Sequence, residues 1–326
     1  MTANMNAGVA TEEGIELREV ARPKPTAEEV LVKVEAAGMN RADLVAAKGL
    51  YGGKESLGKP IGMEWAGEVI EVGSAVRDFK PGDRVMASGS GGYAEYAVSD
   101  HARTVKIGTM DASRAASLPL VILTAYDAVV LNGGFLKGQS ILVQGASSAV
   151  GLMSMQIARH IGANVIAGTS SNEGRRNRLP EFGATLAVDA KQEGWVEDVL
   201  AATDGKGVDL VVDMVSGNTI NQSMQCTAIS GRIVNVGRLG GAQSDFDFNL
   251  HALRRIEYRG VTFRTRSVSE VREIALRTHE NLWDALQTER LGLPLDRTFG
   301  LSDAKSALGY MDANAHFGKI VLIPGS

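Results

Sequence analysis

The sequence predicts an α/β protein in which a doubly wound parallel sheet is joined to a second, β-rich domain. Three observations predict it. The chain has 326 residues, more than a single hydrophobic core usually serves. Residues 14 to 118 read as short strands separated by glycine turns. From Ser140 onward, short apolar runs alternate with stretches of helical period, the pattern of repeated βα units.

In the first region Val30, Val32 and Val34 alternate with other residues, as in a strand covered on one face. A second strand is expected over residues 65–72. Lys80-Pro81-Gly82-Asp83 is a turn leading into Arg84-Val85-Met86, and a glycine-rich link at 89–92 leads into a strand over 93–98. These elements suit a compact, barrel-like β domain. The character changes near Ala115, and residues 118–131 read as helical. Strands are then expected at 141–144, 165–168, 185–188, 208–213 and 232–236. Helices are expected at 152–161, 175–182, 195–200 and 219–228. Gly183 and Gly231 each follow a helix, where a left-handed residue ends the last turn. A further helix spans 269–287, and the chain closes in the strand Lys319-Ile320-Val321-Leu322-Ile323.

Composition narrows the function. A net charge of −4 supplies no basic field for nucleic acid or an anionic membrane. Cys226 is the single cysteine, which excludes an intramolecular disulfide and a multi-cysteine zinc site, and suits a small buried side chain on a helix. No run approaches the roughly 18 apolar residues of a membrane span. The polar, acidic start of the chain is unlike a signal peptide, so a cytoplasmic protein is expected.

The chemistry concentrates at Gln144-Gly145-Ala146-Ser147-Ser148-Ala149-Val150-Gly151. A buried strand turns there into a helix through small residues, which lets a phosphate reach the first-turn N–H groups. Ala149 stands where a glycine is usual, and a plain βα turn is the alternative reading. The second strand ends in Gly168-Thr169-Ser170-Ser171, without the acid that holds a ribose 2′-hydroxyl. Arg175, Arg176 and Arg178 follow near the start of the next helix, where cations oppose the dipole and a 2′-phosphate would relieve them. That favours NADP over NAD. A solvated basic face is the alternative. Gly145-Ala146-Ser147 lacks the G-x-S-x-G form of a hydrolase elbow.

Several segments occur in an order that resembles the zinc-independent, zeta-crystallin-like quinone oxidoreductases of the medium-chain dehydrogenase/reductase superfamily. They are Gly38-Met39-Asn40-Arg41-Ala42-Asp43-Leu44, Gly49-Leu50-Tyr51, Gly62-Met63-Glu64-Trp65-Ala66-Gly67-Glu68-Val69 and Pro81-Gly82-Asp83-Arg84-Val85. Gly91-Gly92-Tyr93-Ala94-Glu95-Tyr96, Leu123-Thr124-Ala125-Tyr126, the loop at 145–151 and Gly318-Lys319-Ile320-Val321 complete the set. The resemblance implies a GroES-like domain from residues 1–118 and 264–326, with a Rossmann domain at 119–263 between them and a substrate cleft between the two. Asn40 and Met63 stand where zinc-dependent relatives carry cysteine and histidine, so no metal is expected.

By the same resemblance, NADPH passes hydride to a conjugated acceptor. Ser148, Ala149, Val150 and Gly151 meet the pyrophosphate, and Ser170 and Arg175 hold the 2′-phosphate. Asn40, Thr124, Val236 and Phe263 surround the nicotinamide. Asn40 is also a candidate donor to the acceptor oxygen, the alternative being an amide that only stitches the cofactor in place. Tyr51 is a candidate for binding or protonating the substrate, the alternative being plain wall packing. Ala190 replaces a tyrosine common near the adenosine. A quinone is the expected acceptor. An enone or enoyl C=C reductase, or a non-catalytic NADPH-binding protein, are the other readings. Segments 50–56 and 240–248 would shape the choice. Members of the family pair an edge such as the strand candidate at 258–263 across a two-fold axis, so the resemblance implies a homodimer, which would also hide that edge.

Overall fold

A computed structural model describes residues 4–51 and 56–325. By backbone proximity the chain forms two compact units, Met1–Leu120 with Val271–Gln287 and Gly292–Ser326, and Val121–Glu270 with Thr288–Leu291.

The second unit holds a six-stranded sheet. From edge to edge its strands are Leu186–Val188, Ile166–Thr169, Ile141–Gln144, Val208–Asp213, Thr227–Asn235 and Glu257–Gly260. Every neighbouring pair is parallel. In chain order this is 3-2-1-4-5-6, the doubly wound order, whose ligands lie beyond the carboxyl ends of the strands. The inner strands have apolar centres because helices cover both faces: Ile141, Leu142 and Val143 are fully buried, as are Val211 and Val212. Trp195, Val199, Met224 and Ile233 pack in one core with Leu142 and Val211.

Some local readings are corrected. The expected helix at 175–182 breaks into one turn, Glu173–Arg176, and a 3₁₀ turn, Leu179–Phe182. Pro180 has no N–H for the carbonyl four residues back and disfavours helix at the residue before it, so the turns cannot fuse. Gly183 takes the left-handed conformation as expected, φ +104°. Gly231 does not. The preceding helix ends at Cys226 and passes straight into the Thr227–Asn235 strand, with Ser230 at positive φ instead. Between Val208↔Thr227 and Leu210↔Arg232 the register jumps, so residues 228–231 bulge from the sheet. The edge strand stops at Gly260, short of the expected 263.

The first unit holds a seven-stranded sheet. Leu295–Gly300, Lys319–Ile323, Glu29–Gly38, Glu64–Val72, Arg84–Ser88 and Thr104–Lys106 are neighbours in that order, and Tyr96–Asp100 also pairs with Glu29–Gly38. A hairpin, Asn4–Thr11 with Gly14–Ala21, bridges to it through Ala7↔Ala94 and Val9↔Pro60. The strand expected at 93–98 therefore begins later, at Tyr96. Val30, Val32, Val34, Trp65 and Val85 form one core, as the alternation implied. Cys226 is buried at a helix end in the second unit. Among the described residues no helix is long and apolar enough to cross a membrane.

Candidate active site

In the second unit, the chain leaves the Ile141–Gln144 strand through Gly145 and enters the helix Ala149–Ile161. Ser148 is the N-cap. Its Oγ accepts from the Gly151 N–H at 3.1 Å and donates to the Gly145 carbonyl at 2.8 Å. Gly145 N–H donates to Thr169 Oγ1 at 3.0 Å, and that hydroxyl donates to Gln144 Oε1 at 2.8 Å. The loop is thereby tied to the end of the neighbouring strand. Gly151 cannot be replaced cheaply, since a Cβ there would lie 2.7 Å from Ala146 Cα. Residues 148–151 thus form a tight, small-residue helix start, with first-turn N–H groups that have no intrahelical acceptor. A pyrophosphate fits that donor set.

Ser170 lies beside this loop, its Oγ donating to Ser147 Oγ at 3.2 Å. No acid stands at this strand end. Asn172 caps the following turn by accepting from the Arg175 N–H at 2.9 Å. Because that helix is a single turn, Arg175 and Arg176 lie in its last turn, where cations complement the dipole. The expected dipole penalty is therefore absent. Arg176 donates to the Ser170 carbonyl at 3.0 Å and pairs with Asp189 at 3.4 Å, while Arg178 pairs with Glu181. Arg175 is half-buried. Ser170 and Arg175 flank one loop and suit a dianion.

Val236 follows the fifth strand, its N–H donating to the Asp213 carbonyl at 2.8 Å. Phe263, half-buried, follows the sixth. Thr124 lies on the helix Pro119–Tyr126. Asp213 was not singled out from the sequence, although an acid closing an apolar strand was the available signal. Its Oδ1 accepts from the Val215 and Ser216 N–H groups at 2.8 and 2.9 Å, and its Oδ2 is buried without a partner. Burial pushes its carboxyl above the ordinary range, against those two hydrogen bonds.

In the first unit, Asn40 precedes the helix Arg41–Ala46. Its N–H donates to Asp43 Oδ2 at 2.7 Å. The side-chain amide turns elsewhere: Nδ2 donates to Glu64 Oε1 at 2.9 Å, and Oδ1 accepts from Lys319 Nζ at 3.0 Å. Lys319 also donates to Glu64 Oε1 at 2.5 Å and to the Met39 carbonyl at 2.6 Å, using all three ammonium protons. Glu64 Oε2 accepts from the Leu120 N–H at 2.8 Å. Lys319 is 2% exposed and Glu64 is fully buried.

Beside this network Tyr93 donates to Asp43 Oδ2 at 2.6 Å. Burial pushes the Asp43 carboxyl up to about 6, and burial with the Asp43 charge pushes the Tyr93 phenol well up. Glu64, Lys319, Asp43 and Tyr93 appear in the sequence only as motif letters. Their burial gives them a role that the motifs do not disclose. Tyr51 is half-buried against the first unit's core. Of the segment at 50–56, residues 52–55 lie outside the described residues.

Zinc does not fit these donors. The Asn40 amide is occupied by Glu64 and Lys319, a thioether at Met63 is a poor ligand beside it, and the Lys319 ammonium already neutralises Glu64. Among the described residues no group of three or more His, Cys, Asp or Glu could hold a metal ion.

Known proteins agree with this architecture. Residues 26–109 match the alcohol dehydrogenase GroES-like domain, and residues 149–280 match the zinc-binding dehydrogenases. The chain is 33% identical to a quinone oxidoreductase of Rattus norvegicus over 228 residues, 69% of each chain. It is 34% identical over 213 residues to a highly reducing polyketide synthase of Penicillium soppii, which is 64% of this chain but 8% of the synthase. A mycobacterial structure complexed with NADPH superposes with a TM-score of 0.88 at 25% identity, covering 99% of this chain and 100% of that one.

Proposed function

The chain belongs to the quinone oxidoreductase family of the medium-chain dehydrogenases and reductases, and from that premise we propose that it reduces a quinone with NADPH. The observation that supports the acceptor class most directly is the donor set around Asn40. An amide and a buried Glu64–Lys319 pair offer no Lewis-acid site, so a simple carbonyl would not be polarised. A quinone spreads the incoming charge by conjugation and needs chiefly proximity and orientation.

NADPH, when bound, supplies the hydride. Ser148, Ala149, Val150 and Gly151 receive its pyrophosphate, and Ser170 and Arg175 receive the 2′-phosphate. Thr124, Val236 and Phe263 wall the nicotinamide. Asn40 is a binding and orienting amide held by Glu64 and Lys319, and Tyr51 lines the substrate side. The outer strand Glu257–Gly260, exposed at every residue, pairs with a second copy to give a homodimer.

The second reading, an NADPH-dependent enone or enoyl reductase, is favoured by the likeness to a highly reducing polyketide synthase. Loss of absorbance at 340 nm tests both. Oxidation of NADPH by 1,2-naphthoquinone, weak turnover of NADH and no effect of a chelator would support the quinone reading. Turnover of an open-chain enone alone would replace it with the second. Tight NADPH binding with neither acceptor consumed would replace both with a non-catalytic binding protein.

A further inference from the structure

The helix Pro119–Tyr126 does not stop cleanly. It continues into a wide π-type turn, Asp127–Asn132, followed by Gly133 and Gly134. Such turns interrupt the regular hydrogen-bond ladder and leave carbonyls to be satisfied from outside. Two arginines from different strands satisfy carbonyls here, and a third, from beyond the sixth strand, takes a side chain of the turn. Arg232, on the fifth strand, donates to the Gly133 carbonyl at 2.6 Å and to that of Gly134 at 3.3 Å. Arg259, on the sixth strand, donates to the Asn132 carbonyl at 3.3 Å. Arg266, beyond the sixth strand, takes the side chain of Asp127 at 2.7 Å.

The last contact differs from the other two. Asp127 is 2% exposed at its side chain, and its other oxygen accepts from Asn132 Nδ2 at 2.9 Å. Arg266 turns back on its own segment. Its Nε donates to the Thr262 carbonyl at 3.2 Å, its backbone N–H donates to the Phe263 carbonyl at 3.4 Å, and its guanidinium lies 5.7 Å from the Phe263 ring centre. One ion pair therefore ties residues 262–266 to the turn that ends the Thr124 helix.

We propose that Asp127 and Arg266 are positioning residues for the nicotinamide end of the cofactor: the pair sets Phe263 and the Thr124 helix at a fixed separation. This rests on the reading of Thr124 and Phe263 as nicotinamide wall. A planar guanidinium suits the task, because it holds a carboxylate, a backbone carbonyl and a ring at once, which an ammonium cannot.

The test compares two probes on the full-length protein: NADPH, and 2′,5′-ADP, which carries the 2′-phosphate and adenosine but no nicotinamide. Titration calorimetry gives both affinities for the wild type, Arg266→Met, Arg266→Lys and Asp127→Asn. Arg266→Met is expected to weaken NADPH about tenfold and to lower kcat further, while 2′,5′-ADP binds as before. Arg266→Lys, which keeps the charge but not the fork, should fall between. If Arg266→Met does not fold, Arg266→Lys and Asp127→Asn carry the comparison. Equal weakening of both probes, or no change in either, would overturn the inference and leave the pair a stabilising contact. A wild type that binds neither probe would instead overturn the cofactor reading on which it rests.

Discussion

Lys319→Met is the most informative single perturbation of the buried network. The change removes the ammonium and leaves a stem of similar length. Glu64 keeps two donors, Asn40 Nδ2 at 2.9 Å and the Leu120 N–H at 2.8 Å, but loses its counter-charge. The Met39 carbonyl and Asn40 Oδ1 each lose the donor that holds them now. With Lys319 at 2% exposure and Glu64 at 0%, solvent cannot screen the remaining charge. Breaking such a pair costs about 3–5 kcal/mol, much of it the penalty of the charge left alone, whereas replacing both partners by well-packed apolar residues of similar volume often costs little. At an unfolding entropy of about 2.1 cal/mol/K per residue, the single variant of this 326-residue chain should therefore lose roughly 4–7 °C of thermal midpoint. Lys319→Met combined with Glu64→Gln should recover about half of that loss or more, since no buried charge is left. Differential scanning calorimetry at pH 7 reads both, and urea midpoints check them. A single variant within about 1 kcal/mol of wild type would refute the reasoning, as would a double variant no more stable than the single.

Asp43→Asn tests the pH dependence. Burial pushes the Asp43 carboxyl up to about 6 from an ordinary 3.8, so between these values the folded chain holds a proton that the unfolded chain releases. Stability should fall as pH rises through that window, by roughly 1 kcal/mol per pH unit at its steepest, and Asp43→Asn should flatten the slope in urea titrations. Ser170→Asp should raise KM for NADPH by roughly tenfold while lowering it for NADH, because an acid beside residues 147–151 repels a 2′-phosphate and accepts from a 2′-hydroxyl. Unchanged cofactor preference in steady-state kinetics would count against the placement of that phosphate. The Cys226 thiol, fully buried and pushed up to about 12 chiefly by burial, should resist a colourimetric thiol reagent in the native protein and react once the chain is denatured.

Much of the fold was legible in the sequence because it is written in short-range patterns. Strands buried on both faces need continuous apolar runs, and Ile141–Gln144 and Val208–Asp213 stand where those runs stand. The small residues at 145–151 announced a tight strand-to-helix turn, and Ser148 caps that helix as its residue type allows. Where two local signals competed, the pattern was ambiguous. Pro180 split one helix, and the glycine expected to end another became Gly231 inside a bulged strand, with Ser230 taking the positive φ.

The polar network was not legible, for a different reason. Lys319 meets Glu64 across 255 residues of sequence, and Arg266 meets Asp127 across 139. A lysine opening a terminal strand reads as a solvated end, and an aspartate at 127 reads as a break in an apolar helix. Nothing in their neighbours' periodicity says otherwise. A sequence displays charge at each position but not the solvent that charge will meet. Local hydrophobic period therefore determined the strands, the helices and their order. Burial, which decides whether a charged group must find a partner and which one it finds, exists only once distant segments have packed.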